Sequence, residues 1–181
     1  MRPLLLMAVV LAGCAMQPAV TPPDPIPAPQ PVHHIYVPPN PLDGLSPAIR
    51  ANLDRPGLIH QGVTTMFPYS ENSQYIIGCR PLRLTSIRLN PDEHIKKHGL
   101  SIGDSERWKV EATDQEVRVK PLEPLGAKDM TTDLDIATDK RNYLLVLRSQ
   151  ANYSPSVSWY YPDDVRTQLA ALKARSEEPA Q

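Results

Sequence analysis

Phenylalanine is nearly missing from this chain: one in 181 residues, with aromatic side chains at 6% overall. A basic excess is missing too. The 19 lysines and arginines face 20 acidic residues, for a net charge of −1. Nothing is left over to neutralise a row of phosphates, so no nucleic-acid contact is expected, and no electrostatic pull toward an acidic membrane surface. The eight glycines are scattered and form no phosphate-cradling loop. No histidine follows His98. The longest apolar run near the start, Leu4–Leu11, is too short to span a bilayer. What the chain has in excess is proline, with 21.

Part of that proline is explained by the N-terminus. MRPLLLMAVVLAGC carries one cation, Arg2, then the apolar run, then small residues. This is the pattern of a secretory signal over residues 1–13. It ends in Leu11-Ala12-Gly13-Cys14, which resembles a bacterial lipobox, so Cys14 is the expected lipid-attachment residue. An ordinary signal cut nearby, with Cys14 incidental, is the alternative. Ala15 after the cysteine favours sorting to the outer membrane. An acylated Cys14 leaves Cys79 as the remaining thiol, and in an oxidising compartment a lone thiol is expected to be buried. Residues 14–41 read as a linker. Ten prolines between Pro18 and Pro41 remove backbone donors and fix φ. At ~3.1 Å per residue these 24 positions reach roughly 70 Å as an extended tether.

Residues 42–60 read as a short helix and connector, with Ser46 as N-cap and Pro47 in the first turn. Period-two alternation then sets in over residues 61–163. TTMFPY, QYIIGC, PLRLTSIRL, RWKVEAT, EVRVK, LDIAT, YLLVLR and VSWYYP are short strands separated by turn residues. A phase slip at Ser86 suggests a bulge. YLLVLR is apolar on both faces and reads as a central strand. Residues 164–181 form a short C-terminal helix and tail, with Asp163 or Asp164 as cap and Val165, Leu169 and Leu172 on one face. The fold class is all-β: an antiparallel sandwich or barrel.

Three features test for chemistry. Gly103-Asp104-Ser105 shares its letters with a serine-hydrolase signature, but a serine nucleophile needs a histidine to take its proton. None follows it, and Glu106 stands where such enzymes carry an apolar residue. His94 and His98, four apart, suit two zinc ligands on a helix. Pro91 and Gly99 flank them, no Glu adjoins either in an HExxH pattern, and on a strand they would stand ~13 Å apart. His33 and His34 lie in the linker. Tyr153, Tyr160 and Tyr161 read either as a binding rim or as cross-strand packing. No catalytic residue, metal site or cofactor is expected, and the chain is read as a non-enzyme.

The order of the pieces is more specific than any one of them. PLRLTSIRL (Pro81–Leu89), NPDE (Asn90–Glu93), GDSERW (Gly103–Trp108), VKP (Val119–Pro121), LDIATDKRNYLLVLRS (Leu134–Ser149) and VSWYYP (Val157–Pro162) follow one another. Over about residues 62–164 this series resembles the N-terminal domain of the TrbG/CagX family of conjugal transfer proteins, components of the outer-membrane complex of type IV secretion systems. The resemblance implies a β-sandwich in the periplasm that assembles into a ring. Its partners would be other copies of itself and the scaffold protein that bridges the two membranes, with the outer membrane held through lipid. Where the family has Thr-Asn-Leu, this chain reads Thr132-Asp133-Leu134, and Cys79 stands where no thiol is usual. Family members continue into a second β domain at the outer membrane. This sequence reads to Gln181, and three acyl chains on Cys14 are expected to supply part of that anchorage. GDSERW then reads as a turn, with Asp104 and Ser105 bonding its amides, Arg107 pairing with a carboxylate across the sheet, and Trp108 entering the core. A free-standing periplasmic lipoprotein, binding a small ligand or glycan through the tyrosine-bearing face, is the alternative reading.

Overall fold

The computed structural model describes residues 39–177. The signal, Cys14 and the linker up to residue 38 lie outside them. Helix α1 (Pro47–Ala51) is capped by Ser46, whose hydroxyl accepts from the Ile49 amide at 3.3 Å. Ten strands follow: β1 (Ile59–Gln61), β2 (Thr64–Pro68), β3 (Gln74–Cys79), β4 (Thr85–Arg88), β5 (Ile95–Ile102), β6 (Trp108–Ala112), β7 (Glu116–Pro121), β8 (Thr131–Thr138), β9 (Asn142–Ser149) and β10 (Ser156–Tyr160). Helix α2 (Pro162–Glu177) closes the described chain.

The strands form two sheets, one ordered β1-β2-β10-β4-β7-β6 and one ordered β3-β9-β8-β5. Alternate residues of both sheets supply a single core. Ile87, Val117, Val119, Val157 and Trp159 from the six-stranded sheet meet Tyr75, Ile77, Leu134, Ile136, Tyr143, Leu145 and Leu147 from the four-stranded one. The architecture is therefore the all-β sandwich with a C-terminal helix. The described residues form one compact unit around this core.

The pairing is mixed rather than wholly antiparallel. β10 runs parallel to both β2 and β4, and β3 runs parallel to β9. Successive strands reverse direction, through connections that range from two residues between β1 and β2 to nine between β7 and β8. Neighbours of like parity, such as β4 and β10, must then be parallel, and neighbours of unlike parity antiparallel. After the β1–β2 hairpin the chain passes between sheets, which brings like-parity strands together.

Other details also depart from what the sequence pattern predicts. The phase slip before Ser86 is no bulge. Arg80–Arg83 make a turn, closed by Arg83 N to Arg80 O at 3.1 Å, and β4 begins only at Thr85. The irregular register lies in β5, between Ile95 and Leu100, with His98 at φ 62°. α2 starts at Pro162, so Asp163 and Asp164 fill its first turn rather than cap it. There they still favour the positive end of the helix dipole. Of the α2 side chains only Pro162 and Val165 are buried, and Leu169 and Leu172 are half-buried.

Candidate functional site

The turns at one end of the sandwich hold GDSERW. Asp104 organises it. Its Oδ1 accepts from the Arg107 amide at 3.0 Å, its Oδ2 pairs with Arg107 Nε at 2.5 Å, and its own amide donates to Thr132 Oγ1 at 2.9 Å. The hydrogen bond from the Arg107 amide, followed by the guanidinium contacts, holds the Asp104 carboxyl below its ordinary range. Arg107 thus finds its carboxylate inside the turn, not across the sheet. Ser105 is exposed, and its hydroxyl has no hydrogen-bond partner among the described residues. Trp108 is 2% exposed and enters the core.

The two histidines are separated by the bulge and by their contacts. His94 Nδ1 sits 2.5 Å from Asp114 Oδ2, and the His94 amide donates to Asp139 Oδ1 at 2.9 Å. Among the described residues no three His, Cys, Asp or Glu side chains gather as a metal-holding group. The hydrogen bond that His94 donates to Asp114, and then the charge of Asp114, raise the His94 pKa. A raised histidine adds stability that is fully present below the ordinary value of ~6.5 and is lost as pH rises through the raised value. Both side chains are more than half exposed, so solvent weakens the effect. NMR titration of the imidazole should find His94 above the ordinary value in the native protein. Asp114→Asn should return it toward that value, and an unchanged titration would remove this pair from the solution structure.

Tyr160 and Tyr161 do not join the partly exposed Tyr153 in a rim. Tyr160 is 2% exposed, and its hydroxyl bridges the Gly57 carbonyl (2.7 Å) and amide (2.9 Å). Tyr161 is half-buried and turns inward to a cluster that strand periodicity does not reveal. Cys79 is fully buried, and burial pushes its thiol up to about 12. At that pKa it is a core side chain and not a nucleophile.

The cluster lies at the opposite end from GDSERW. Its centre is Glu93, which is 0% exposed. The Asn90–Glu93 turn, closed by Glu93 N to Asn90 O at 2.9 Å, swings this carboxylate under the sheets. One Glu93 oxygen pairs with Arg141 and the other accepts from Tyr143 Oη at 2.7 Å, with Thr138 Oγ1 3.2 Å away. Tyr143 and Tyr161 hydroxyls are 2.9 Å apart. Since Tyr143 has spent its proton on Glu93, Tyr161 is the donor between them. The Arg141 guanidinium lies 4.1 Å from the Tyr161 ring centre and 5.4 Å from that of Tyr69. It also pairs with Asp164 in the first turn of α2. Burial, more than any other cause, raises the phenols of Tyr69, Tyr143 and Tyr161, so all three stay neutral.

Every strong polar group of this cluster is spent on another. The β4–β5 turn (Glu93), the β8–β9 turn (Arg141) and α2 (Asp164) are clamped together, and Arg166 adds a bond to the Leu53 carbonyl at 2.7 Å. The sequence carries a signal for it in the NPDE and DKRNY motifs, but neither motif says that its Glu and Arg meet.

In this sandwich the buried charges hold the turns and the C-terminal helix. A family model described as "Conjugal transfer protein", CagX, matches residues 62–181. The chain is also 31% identical over 121 residues to the "Probable conjugal transfer protein TrbG" of Sinorhizobium fredii (strain NBRC 101917 / NGR234). That match covers 62% of this chain and 42% of the relative, so the chain spans less than half the length of the curated relative. The chain belongs to the CagX family of conjugal transfer proteins.

Proposed function

We propose that this chain is a non-enzymatic structural component of a conjugal transfer or type IV secretion core complex. It is held by lipid on Cys14 at the periplasmic face of the outer membrane and assembles there with further copies of itself, in a ring, and with the scaffold protein that bridges the two membranes. The observation that carries this reading is the family match over residues 62–181. The near-zero net charge fits a role apart from the transported nucleic acid. No helix among the described residues is long and apolar enough to cross a membrane, and acyl chains on Cys14 would supply an anchor. The ligand-binding alternative loses its support, because Tyr160 is buried and Tyr161 is engaged with Arg141 and Tyr143.

Two experiments test this. Tagged chain purified from solubilised envelopes should bring other conjugation proteins with it, and deletion of the gene should abolish transfer. Purification alone together with undiminished transfer would overturn the reading. Cys14→Ser should remove the protein from the outer-membrane fraction, because serine offers no thiol for the diacylglycerol. Flotation of that variant with outer membranes to the wild-type extent would exclude the lipid anchor.

A further inference from the structure

The two sheets of the sandwich are unequal in width, and the four-stranded one stops short on the side where it ends in β3. β2 pairs with β10 so that Thr65 and Phe67 stand beside Val157 and Trp159 on the inward face. Val157 and Trp159 are buried, whereas Thr65 and Phe67 are only half-buried. The difference marks where cover ends. β3 reaches the Trp159 ring through Tyr75, and no strand of the described chain lies beyond β3 to cover the rest of β2. Leu58, just before β1, is 56% exposed on this ledge. With Phe67, Pro68, Tyr75 and Pro162 it lines a groove of about 510 Å³. Among the described residues the groove's lining carries one charge, that of Asp163, which is paired with Arg166.

β3 itself leaves backbone groups unpaired. It runs parallel to β9 with Cys79 opposite Ser149, and Gln150 N donates to Cys79 O at 2.9 Å. In a parallel pair the residues of one parity turn both backbone groups to the neighbouring strand. Tyr75, Ile77 and Cys79 therefore face β9, and Gln74, Ile76 and Gly78 face away. The Gly78 carbonyl is taken by Ser154 N at 2.9 Å. The amides and carbonyls of Gln74 and Ile76 have no partner among the described residues. Such an edge is a template for another strand, and folds ordinarily guard it with charge, proline, a bulge or brevity. The other edges of the two sheets are guarded. β1 has three residues, β5 has its bulge with Lys96 and Lys97, and β6 carries Lys109 and Glu111. β3, which reads QYIIGC, has no charge, proline or bulge.

We propose that β3 accepts an extended segment of another protein of the conjugal transfer apparatus as an added strand of its sheet. This partner rests on the reading of the chain as a component of that apparatus. Backbone pairing with Gln74 and Ile76 supplies the hydrogen bonds, and alternate side chains of the incoming strand fall on the ledge. An added strand lies ~4.8 Å beyond β3 and so stands over the bare part of β2 and over Leu58. The chemistry of the occupant follows. It has no proline where its amides face β3, and it places aliphatic or aromatic side chains at every second position, where the groove is apolar and its one charge is already spent. A second copy of this chain fits less well. Its own β1, β5 and β6 edges carry the guards just named. Antiparallel pairing of β3 with β3 about a two-fold axis would drive the two ledges into the same space.

Site-specific photocrosslinking of the full-length chain, in cells that carry the transfer genes, tests this. p-Benzoylphenylalanine in place of Gln74, which is exposed at the start of β3, should join one other transfer protein. Mass spectrometry should place the bond in a proline-free stretch with apolar residues at alternate positions. Ile76→Pro should cut the adduct roughly tenfold, since it removes an outward N–H and no bond to β9. Ile76→Val should leave the yield unchanged, because it trims the side chain and keeps the amide. Leu58→Asp, at an exposed position outside the strands, should also cut the yield, and it answers for Ile76→Pro should that variant misfold. An adduct that survives Ile76→Pro or Leu58→Asp at full yield overturns the proposal. So does one made of two copies of this chain, or one confined to a single chain. Absence of any adduct while the chain still purifies with conjugation proteins also overturns it, and leaves the functional reading standing. An adduct that passes both variant tests but joins a protein outside the transfer apparatus overturns the partner and the functional reading together.

Discussion

Arg141→Ala is expected to lower the folding stability of residues 37–181 by about 3–5 kcal/mol, measured by urea unfolding. The loss comes from what the variant leaves behind. Glu93 is 0% exposed, and without Arg141 it keeps only the Tyr143 hydroxyl and Thr138 to stabilise its charge. The stacking of the guanidinium on Tyr161 disappears with it. Arg141→Lys should fall between the variant and the native protein. An ammonium keeps the charge but cannot present a planar fork to Glu93 and Asp164 together. Adding Glu93→Gln to Arg141→Ala should recover much of the loss, because the buried group is then neutral. The same Arg141→Ala variant should expose α2 to trypsin at Lys173 and Arg175. A helix of 16 residues is marginal by itself, and only Pro162 and Val165 bury it against the sandwich. A loss below about 1 kcal/mol for Arg141→Ala would mean that the Glu93–Arg141–Asp164 chain does not clamp the fold.

The strands with clean alternation are legible in the sequence because a residue's face follows from its parity along the strand. Leu134 and Ile136 point inward and Asp133 and Asp135 outward, as the period demands. Partner choice is not legible. Alternation says which way a side chain points but not which strand lies alongside, so it does not reveal β10 beside β2 and β4, or β3 beside β9. β5 escapes for a local reason: its bulge at Ile95–Leu100 breaks the period, and His98 at φ 62° sits inside it. The clamp escapes for a related one. Glu93 and Arg141 are 48 positions apart, each in a turn, where charged residues are ordinarily solvated. Only the folding of two turns onto one end of the sandwich makes them partners. YLLVLR is apolar on both faces, the pattern of a strand central in a sheet. It is central, yet its outer residue Leu144 remains 37% exposed, and the sandwich alone does not account for that.

The GDSERW segment separates a letter match from a structural role, and two substitutions three residues apart measure the difference. Trp108→Ala is expected to cost about 3–5 kcal/mol. The indole is 2% exposed at the start of β6, where Trp108 pairs with Pro121 of β7 and its ring fills the core between the sheets. Truncation loses the apolar transfer energy of the ring and leaves a cavity that the hydrogen-bonded ladders of β7 and β8 cannot collapse to fill. Trp108→Phe should cost less, since it keeps most of the volume and removes the indole N–H, which is buried without a partner. Ser105→Ala should stay within about 0.5 kcal/mol, the range for exposed positions away from special features. Its hydroxyl makes no turn bond among the described residues, and Asp104 carries that work through Arg107 and Thr132. Urea melts of the three variants give the order directly. Equal shifts for Trp108→Ala and Ser105→Ala would take Trp108 out of the core, and a Ser105→Ala loss above about 1 kcal/mol would give that hydroxyl a partner which this turn does not provide.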